Sequence, residues 1–454
     1  MPDMIDPATP GSARTRTGYD GIAYELVFSD EFELDGRSFS PGDDPYWEAV
    51  DIWYGSTMDM EWYDPEQITT RNGSLVITMD SADTLQPHTT PGSTAPFTLA
   101  ENHNMTYRSG MLQSWNKFCF TSGYIEVSVV LPGPNENTQG YWPGAWTMGN
   151  LGRPGFAATS SGTWPYTYDS CDTGTFPNQT YSNHSGPPAA LHSDASRDKY
   201  NNELSWLPGQ RLSACSCPGS DHPGPSTDKG RGAPEIDIFE VEKDKINPTG
   251  QVASQSAQFA PFTHDYLYSN QTNDQYRIFD EDVSRPNPYR GSALQQAVST
   301  LGTLPTDMFQ GSGAVYRTMG FEYFANPKNR SEGSITWQID GKPTYRLGAG
   351  AMGPDPDTQI SARLIPEEPM AIVLNLGISQ NWQNIDLSTM IFPAELKFDY
   401  VRVYQRKGHT NVGCDPKDYP TKKYIEDHIE AYTNANKTTW DWPIPTNSLL
   451  AGGC

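Results

Sequence analysis

The run Glu235-Ile236-Asp237-Ile238-Phe239-Glu240-Val241 carries three carboxylates in close succession. In a strand, Glu235 and Asp237 fall on one side and Ile236 and Ile238 on the other, because successive side chains alternate. The alternation then slips: Phe239 stands where a polar residue is due, and Glu240 takes the next acidic place. One extra residue, a β-bulge after Ile238, restores it. Glu235, Asp237 and Glu240 then share a face, with Ile236, Ile238 and Val241 opposite. Like charges at this spacing repel one another, so stability alone does not select them.

The arrangement suits glycosidic bond chemistry. One carboxylate attacks the anomeric carbon. A second, kept protonated by nearby negative charge, donates to the leaving oxygen. The middle acid can share a proton with the attacking one and hold its orientation. Two other readings of the bare triplet stay open. One is an acidic strand edge without a role. The other is an acidic metal site, the weaker case because no His or Cys joins the cluster.

A sheet must position these acids, and the rest of the chain reads as sheet. Residues 74–79 place Leu75, Ile77 and Met79 on one side, and residues 123–131 place Ile125, Val127, Val129 and Leu131 there. Residues 400–404 continue the habit through Val401 and Val403. These are period-two signals of half-buried antiparallel strands. Asp340-Gly341 marks a tight hairpin within 334–345. The expected fold class is all-β, a β-jelly-roll sandwich of two antiparallel sheets. Residues 1–20 read as a polar lead-in, 21–407 as the sandwich and 408–454 as a small extension packed on it. There Thr421 can cap a short helix, with Tyr424, Ile425, Ile429 and Tyr432 near one face. Residues 150–232, rich in Gly, Pro, Ser and Thr, read as a long insertion. Its Cys residues and its aromatics Trp164, Tyr166, Tyr168 and Trp206 argue for a packed segment.

Composition narrows the partners. The 454 residues have a formal charge of −24, with 40 Gly, 38 Pro and 12% aromatics. That charge excludes a nucleic-acid footprint and opposes anionic lipid, whereas a neutral sugar polymer is compatible. No apolar run approaches the ~18 residues of a membrane span. Residues 1–20 are not a signal peptide. The chain nonetheless resembles secretory cargo. It has six Cys, and Asn-x-Ser/Thr acceptors at Asn72, Asn104, Asn178, Asn183, Asn270, Asn329 and Asn436. The missing address suggests a fragment of a longer precursor. Cys414 to Cys454 is one plausible tie, although spacing alone fixes no connectivity. No cofactor is called for. No loop here demands a calcium ion.

The acidic run resembles the bulged catalytic motif of glycoside hydrolase family 16, a family of β-jelly-roll enzymes acting on β-glucans. Supporting stretches fall in family order: Phe28-Ser-Asp-Glu-Phe32, Phe120-Thr-Ser-Gly-Tyr-Ile-Glu126, Trp142-Pro-Gly-Ala-Trp146 and Phe398-Asp-Tyr-Val-Arg-Val-Tyr404. Within that family the chain is most similar to the fungal β-1,6-glucan synthesis-associated proteins. The stretches that carry this are Arg231-Gly-Ala-Pro-Glu-Ile-Asp237, Leu204-Ser-Trp-Leu-Pro-Gly-Gln-Arg211 with Cys215-Ser-Cys217, and Cys414-Asp-Pro-Lys-Asp-Tyr-Pro420.

The resemblance implies Glu235 as nucleophile, Asp237 as its helper and Glu240 as acid/base. It implies Trp142, Trp146 and Trp382 as sugar platforms, with Gln258 and Asn375 hydrogen-bonding hydroxyls in the cleft. Gln258 stands where many hydrolytic relatives place a His. The implied protein is the lumenal part of a type II membrane protein of the secretory pathway, its anchor outside this chain. The implied partner is a β-glucan oligo- or polysaccharide, and the implied activity is retaining glycosidase or transglycosylase chemistry in cell-wall β-1,6-glucan formation. Two alternatives remain: a non-catalytic glucan-binding scaffold on the same fold, and a degradative β-1,3-glucanase.

Overall fold

The computed structural model describes residues 3–82, 97–193, 202–246 and 250–454. Residues 1–2 of the lead-in and 194–201 of the insertion lie outside this set. Two sheets face each other, one of thirteen strands and one of eight. Pairing between named strands is antiparallel except for the short parallel pair of Glu61–Tyr63 with Tyr107–Ser109. The protein is an all-β jelly-roll sandwich. The predicted hairpin is present, with Asp340 and Gly341 both at positive φ (56° and 75°), as a two-residue loop of this kind requires.

The eight-stranded sheet carries the acids. Its central strands run, in spatial order, Gln251–Phe259, Glu235–Lys243, Tyr141–Gly149 and Met370–Ile378. Ile236, Ile238, Phe239 and Val241 are fully buried in the core between the sheets. Each such side chain stabilises the fold by roughly 1.5–3 kcal/mol, enough to hold the strand against repulsion among its acids. The register shifts between Asp237 and Glu240, so two residues oppose one at this point. Both backbone carbonyls freed there find side-chain donors. Trp337 Nε1 reaches across from the opposite sheet to Asp237 O at 2.7 Å, and Gln255 Nε2 bonds Ile238 O at 3.3 Å. The bulge is thus satisfied on its core side.

The insertion packs through its own small core. Tyr166, Tyr168, Leu204 and Leu207 bury against Ala260, Phe262 and Tyr266, which follow the strand Gln251–Phe259. Where the insertion returns to the acids, the fully buried Arg231 grips both oxygens of Glu368 at 2.7 and 2.8 Å. The same guanidinium bonds Pro420 O at 2.9 Å, so insertion, sheet and C-terminal extension meet at one residue.

The disulfides correct one expectation. Cys414 does not pair with Cys454. The bridges are Cys119–Cys414, Cys171–Cys215 and Cys217–Cys454. Gly413 N bonds Cys119 O and brings Cys414 beside the sandwich. The tail runs back along the insertion instead, with Cys217 N on Thr446 O and Ser448 N on Cys215 O. The C-terminal helix also departs from its expected pattern. It breaks at His428 into Lys422–Asp427 and Ile429–Thr433. The break turns Ile429 outward, 49% exposed, while Tyr424, Ile425 and Tyr432 stay buried. Thr421 does not cap with its side chain, which donates to Cys414 O. Asp415 Oδ1 takes the helix-start N–H groups of Thr421 and Lys422.

Candidate active site

Register places the residues of the face that carries the acids. Glu235 lies opposite Gln258, Asp237 opposite Ser256 and Glu240 opposite Ser254. On the other flank Glu235 meets Met148, Asp237 meets Trp146 and Glu240 meets Gly144. Gly144 in turn pairs with Asn375. With no side chain between them, Glu240 and Asn375 neighbour each other across the glycine. A Cβ on Gly144 would stand 2.8 Å from Asn375 Oδ1.

Each acid has its own partners. Asp237, 1% exposed, accepts from Ser256 Oγ at 2.5 Å and Gln258 Nε2 at 3.2 Å. Glu240 accepts from Trp142 Nε1 at 3.0 Å. Glu235 accepts from Trp164 Nε1 at 2.6 Å. Burial pushes Asp237 up to about 6, against the opposing pull of hydrogen bonds from Ser256, Gln258 and Glu235. Burial first, and then the charges of Asp237 and Glu240, push Glu235 well above the usual carboxylate range. Burial and the Asp237 charge do the same for Glu240. Burial and mutual repulsion therefore favour the protonated form in all three acids, most strongly in Glu235 and Glu240.

The expected binding residues are gathered around the acids, several with their polar groups already engaged. Trp146 is 9% exposed and its Nε1 bonds Asn375 Oδ1 at 2.8 Å. Asn375 donates onward to Tyr63 Oη at 3.1 Å. Gln258 turns its Nε2 donor into the triad, which leaves its buried Oε1 without a partner among the described residues. Trp142 stacks on Trp382 with ring centroids 4.6 Å apart and planes 2° from parallel. Trp382 is pinned by Nε1 to Val241 O, and Lys245 Nζ lies 5.8 Å from its ring. Trp382 thus backs Trp142, which reaches Glu240.

The model of the beta-glucan synthesis-associated protein SKN1/KRE6/Sbg1 family matches residues 1–454. The chain belongs to this family. It is 44% identical over 456 residues to beta-glucan synthesis-associated protein SKN1 of Saccharomyces cerevisiae, covering 99% of this chain and 53% of that protein. It is also 44% identical to KRE6 of the same yeast, covering 99% and 56%, and 42% identical to KRE6 of Candida albicans, covering 100% and 56%. The chain spans about half the length of these curated relatives. Among solved structures it is similar to the catalytic domain of an endo-1,3-beta-glucanase (laminarinase) from Thermotoga petrophila. The TM-score is 0.44 at 16% identity, over 85% of this chain and all of that one.

This SKN1/KRE6/Sbg1 family member also holds site residues that the sequence reading left out. Trp164 comes from the insertion and reaches Glu235. Tyr54 sits among the acids, its phenol pushed up by burial and by the charges of Glu235, Asp59, Glu240 and Asp237. Behind Asn375 lies a second buried acid pair. Asp59 Oδ2 receives Tyr63 Oη at 3.4 Å, Asp59 Oδ1 receives Thr57 Oγ1 at 2.6 Å, and Glu61 Oε2 receives Ile378 N at 3.0 Å. Burial pushes Asp59 up to about 6, and burial with the Asp59 charge pushes Glu61 well up. The spacing Asp59-x-Glu61, flanked by Trp53 and Trp62, repeats the spacing of Glu235-x-Asp237 and was the available signal. The three disulfides fit a domain of an oxidising compartment, lumenal or secreted.

Proposed function

We propose that the chain is a retaining β-glucan-active glycosidase or transglycosylase that serves cell-wall β-1,6-glucan formation. One observation carries this reading: the bulge at Ile238 turns Glu235, Asp237 and Glu240 onto one face, each acid meeting a different donor.

Glu235 attacks the anomeric carbon and forms a glycosyl ester, while the bond to the leaving oxygen breaks and Glu240 supplies that oxygen's proton. Burial suits Glu240 to the task, because it favours the protonated acid. Glu235 must be ionised to attack. The Trp164 N–H favours its charged form, and Asp237 can hold the proton that the pair shares. Positive charge developing on the sugar then draws the negative charge to Glu235. In the second half, a sugar hydroxyl or water gives its proton to Glu240 and displaces the ester. Trp142 offers an apolar ring beside Glu240 for a pyranose. No step calls for a cofactor. The partner is a β-glucan chain.

The test is product analysis with purified protein and β-glucan oligosaccharides, including laminari-oligosaccharides. Products longer than the substrate indicate transfer, and shorter ones indicate hydrolysis. Glu235→Gln and Glu240→Gln are each expected to abolish both. Unchanged product formation by either variant rejects the proposal.

A further inference from the structure

Asn375 ends a polar chain that begins at two buried carboxyls, Asp59 and Glu61. Tyr63, which links them to it, packs in an apolar cluster with Val50, Ile52, Met111 and Trp146. Burying two acids beside such a cluster is costly, and apolar side chains of similar volume are often at least as stable there. The pair therefore calls for a role besides packing.

Donor and acceptor chemistry fixes the direction of the chain. An indole N–H only donates, so the Asn375 atom 2.8 Å from Trp146 Nε1 is the amide oxygen. The amide nitrogen then faces Tyr63 and donates to Oη at 3.1 Å. The Tyr63 hydroxyl in turn donates to Asp59 Oδ2 at 3.4 Å. Asp59 Oδ1 accepts from Thr57, and Glu61 hydrogen-bonds the same carboxyl, which two carboxyls do only through a proton on one of them. Three oxygens of the chain converge over Gly377. A Cβ there would stand 3.2 Å from Glu61 Oε1, 3.3 Å from Tyr63 Oη and 3.5 Å from Asp59 Oδ2.

The chain borders the proposed acid/base. Asn375 pairs with Gly144, the residue opposite Glu240, and Gly377 pairs with Trp142, whose Nε1 reaches Glu240. Turning the amide over would set its NH2 against the indole N–H and draw the Tyr63 hydrogen away from Asp59. The acceptor at Asp59 opposes that turn. We propose that Asp59 and Glu61 are positioning residues for the cleft, which act through Tyr63 to hold the Asn375 amide in one orientation beside Glu240. A sugar hydroxyl arriving there meets a fixed amide. That the arriving group is a sugar rests on the proposed glucan chemistry, but the fixed amide does not.

Two readouts on the intact chain test this. The indole N–H resonance of Trp146, assigned by its loss in Trp146→Phe, reports the bond to Asn375 without any ligand. Calorimetry of Glu235→Gln protein with laminari- and gentio-oligosaccharides reports binding without turnover. Tyr63→Phe and Asp59→Ala should each move the Trp146 resonance and weaken binding by about threefold to tenfold, the scale of one hydrogen bond. Their losses should not multiply in the double variant, because both act through one hydroxyl. Asp59→Asn keeps an oxygen for Tyr63, and Glu61→Gln keeps a donor for Asp59. Both should leave the resonance in place, a rescue that general destabilisation would not produce. If the resonance moves as expected but the parent protein binds no oligosaccharide, the glucan reading fails and the positioning role stands. An unmoved resonance in Tyr63→Phe or Asp59→Ala, or binding losses that multiply in the double variant or persist in an Asn375→Ala background, would overturn the proposal.

Discussion

Trp164, carried by the insertion, donates its indole N–H to Glu235 Oε2 at 2.6 Å. The segment that departs most from the sandwich therefore touches the group that the proposed reaction needs ionised. A hydrogen bond to the charged form lowers a carboxyl pKa, and this one opposes the burial that raises it. Trp164→Phe keeps the ring and removes the donor. Glu235 should then hold its proton to higher pH. The acid limb of the rate profile should move upward and kcat should fall by about tenfold, the scale of one charged hydrogen bond. An unmoved acid limb would count against the role given to Trp164.

Asp237 raises both neighbours by its charge. Asp237→Asn removes that charge and the site that shares the Glu235 proton. Both limbs of the pH profile should shift toward acid, since Glu235 ionises earlier and Glu240 loses its proton earlier. The maximal rate should also drop, because the proton must now leave the pair altogether. Rates measured from about pH 4 to about pH 8 check this. A profile that moves toward alkali would contradict the assignment.

The buried pair Asp59 and Glu61 predicts a stability effect. Asp59 is raised to about 6 and Glu61 well above its ordinary range. Both therefore bind protons more tightly in the folded than in the unfolded chain. Their contribution is fully present below about pH 4 and is lost as pH rises through about 6. Glu235, Asp237, Glu240 and Glu322, the last raised to about 7, act in the same sense. Tm should fall between about pH 5 and about pH 7.5, and Asp59→Asn should flatten that fall. An equal slope in the variant would show that Asp59 does not titrate with folding.

The acid strand was legible because its evidence is local. Alternation, and one slip in it, are written within Glu235 to Val241, and the bulge follows from them. The hairpin at Asp340-Gly341 is legible for the same reason. What escaped depends on distant packing. Cys119 meets Cys414 because residues 408–454 dock beside it, and no spacing records that docking. Ile429 fits the apolar face only if the helix continues through His428, and it does not. Trp164 reaches Glu235 across 71 positions of sequence, so its aromatic character was visible but its destination was not. Asp59 and Glu61 differ, since the face rule that found Glu235 and Asp237 applies to them equally.

Gly144 offers the sharpest geometric test. It lies between Glu240 and Asn375 in the register, and a methyl there would stand 2.8 Å from Asn375 Oδ1. Contacts that close do not persist, so either the strand or the amide must move. The amide is held on both sides, by Trp146 Nε1 at 2.8 Å and through its own donation to Tyr63 at 3.1 Å. Gly144→Ala should thus break the Trp146–Asn375 bond. Overpacking of this kind costs about 1–3 kcal/mol, too little to unfold a domain with this much core. Activity should fall far more than stability, because the methyl enters the space beside Glu240 where a sugar ring must sit. Asn375→Ala in the Gly144→Ala background removes the clash but leaves the buried Trp146 Nε1 without its acceptor, so neither stability nor turnover should be restored. Full activity in Gly144→Ala would show that substrate does not pass between Glu240 and Asn375.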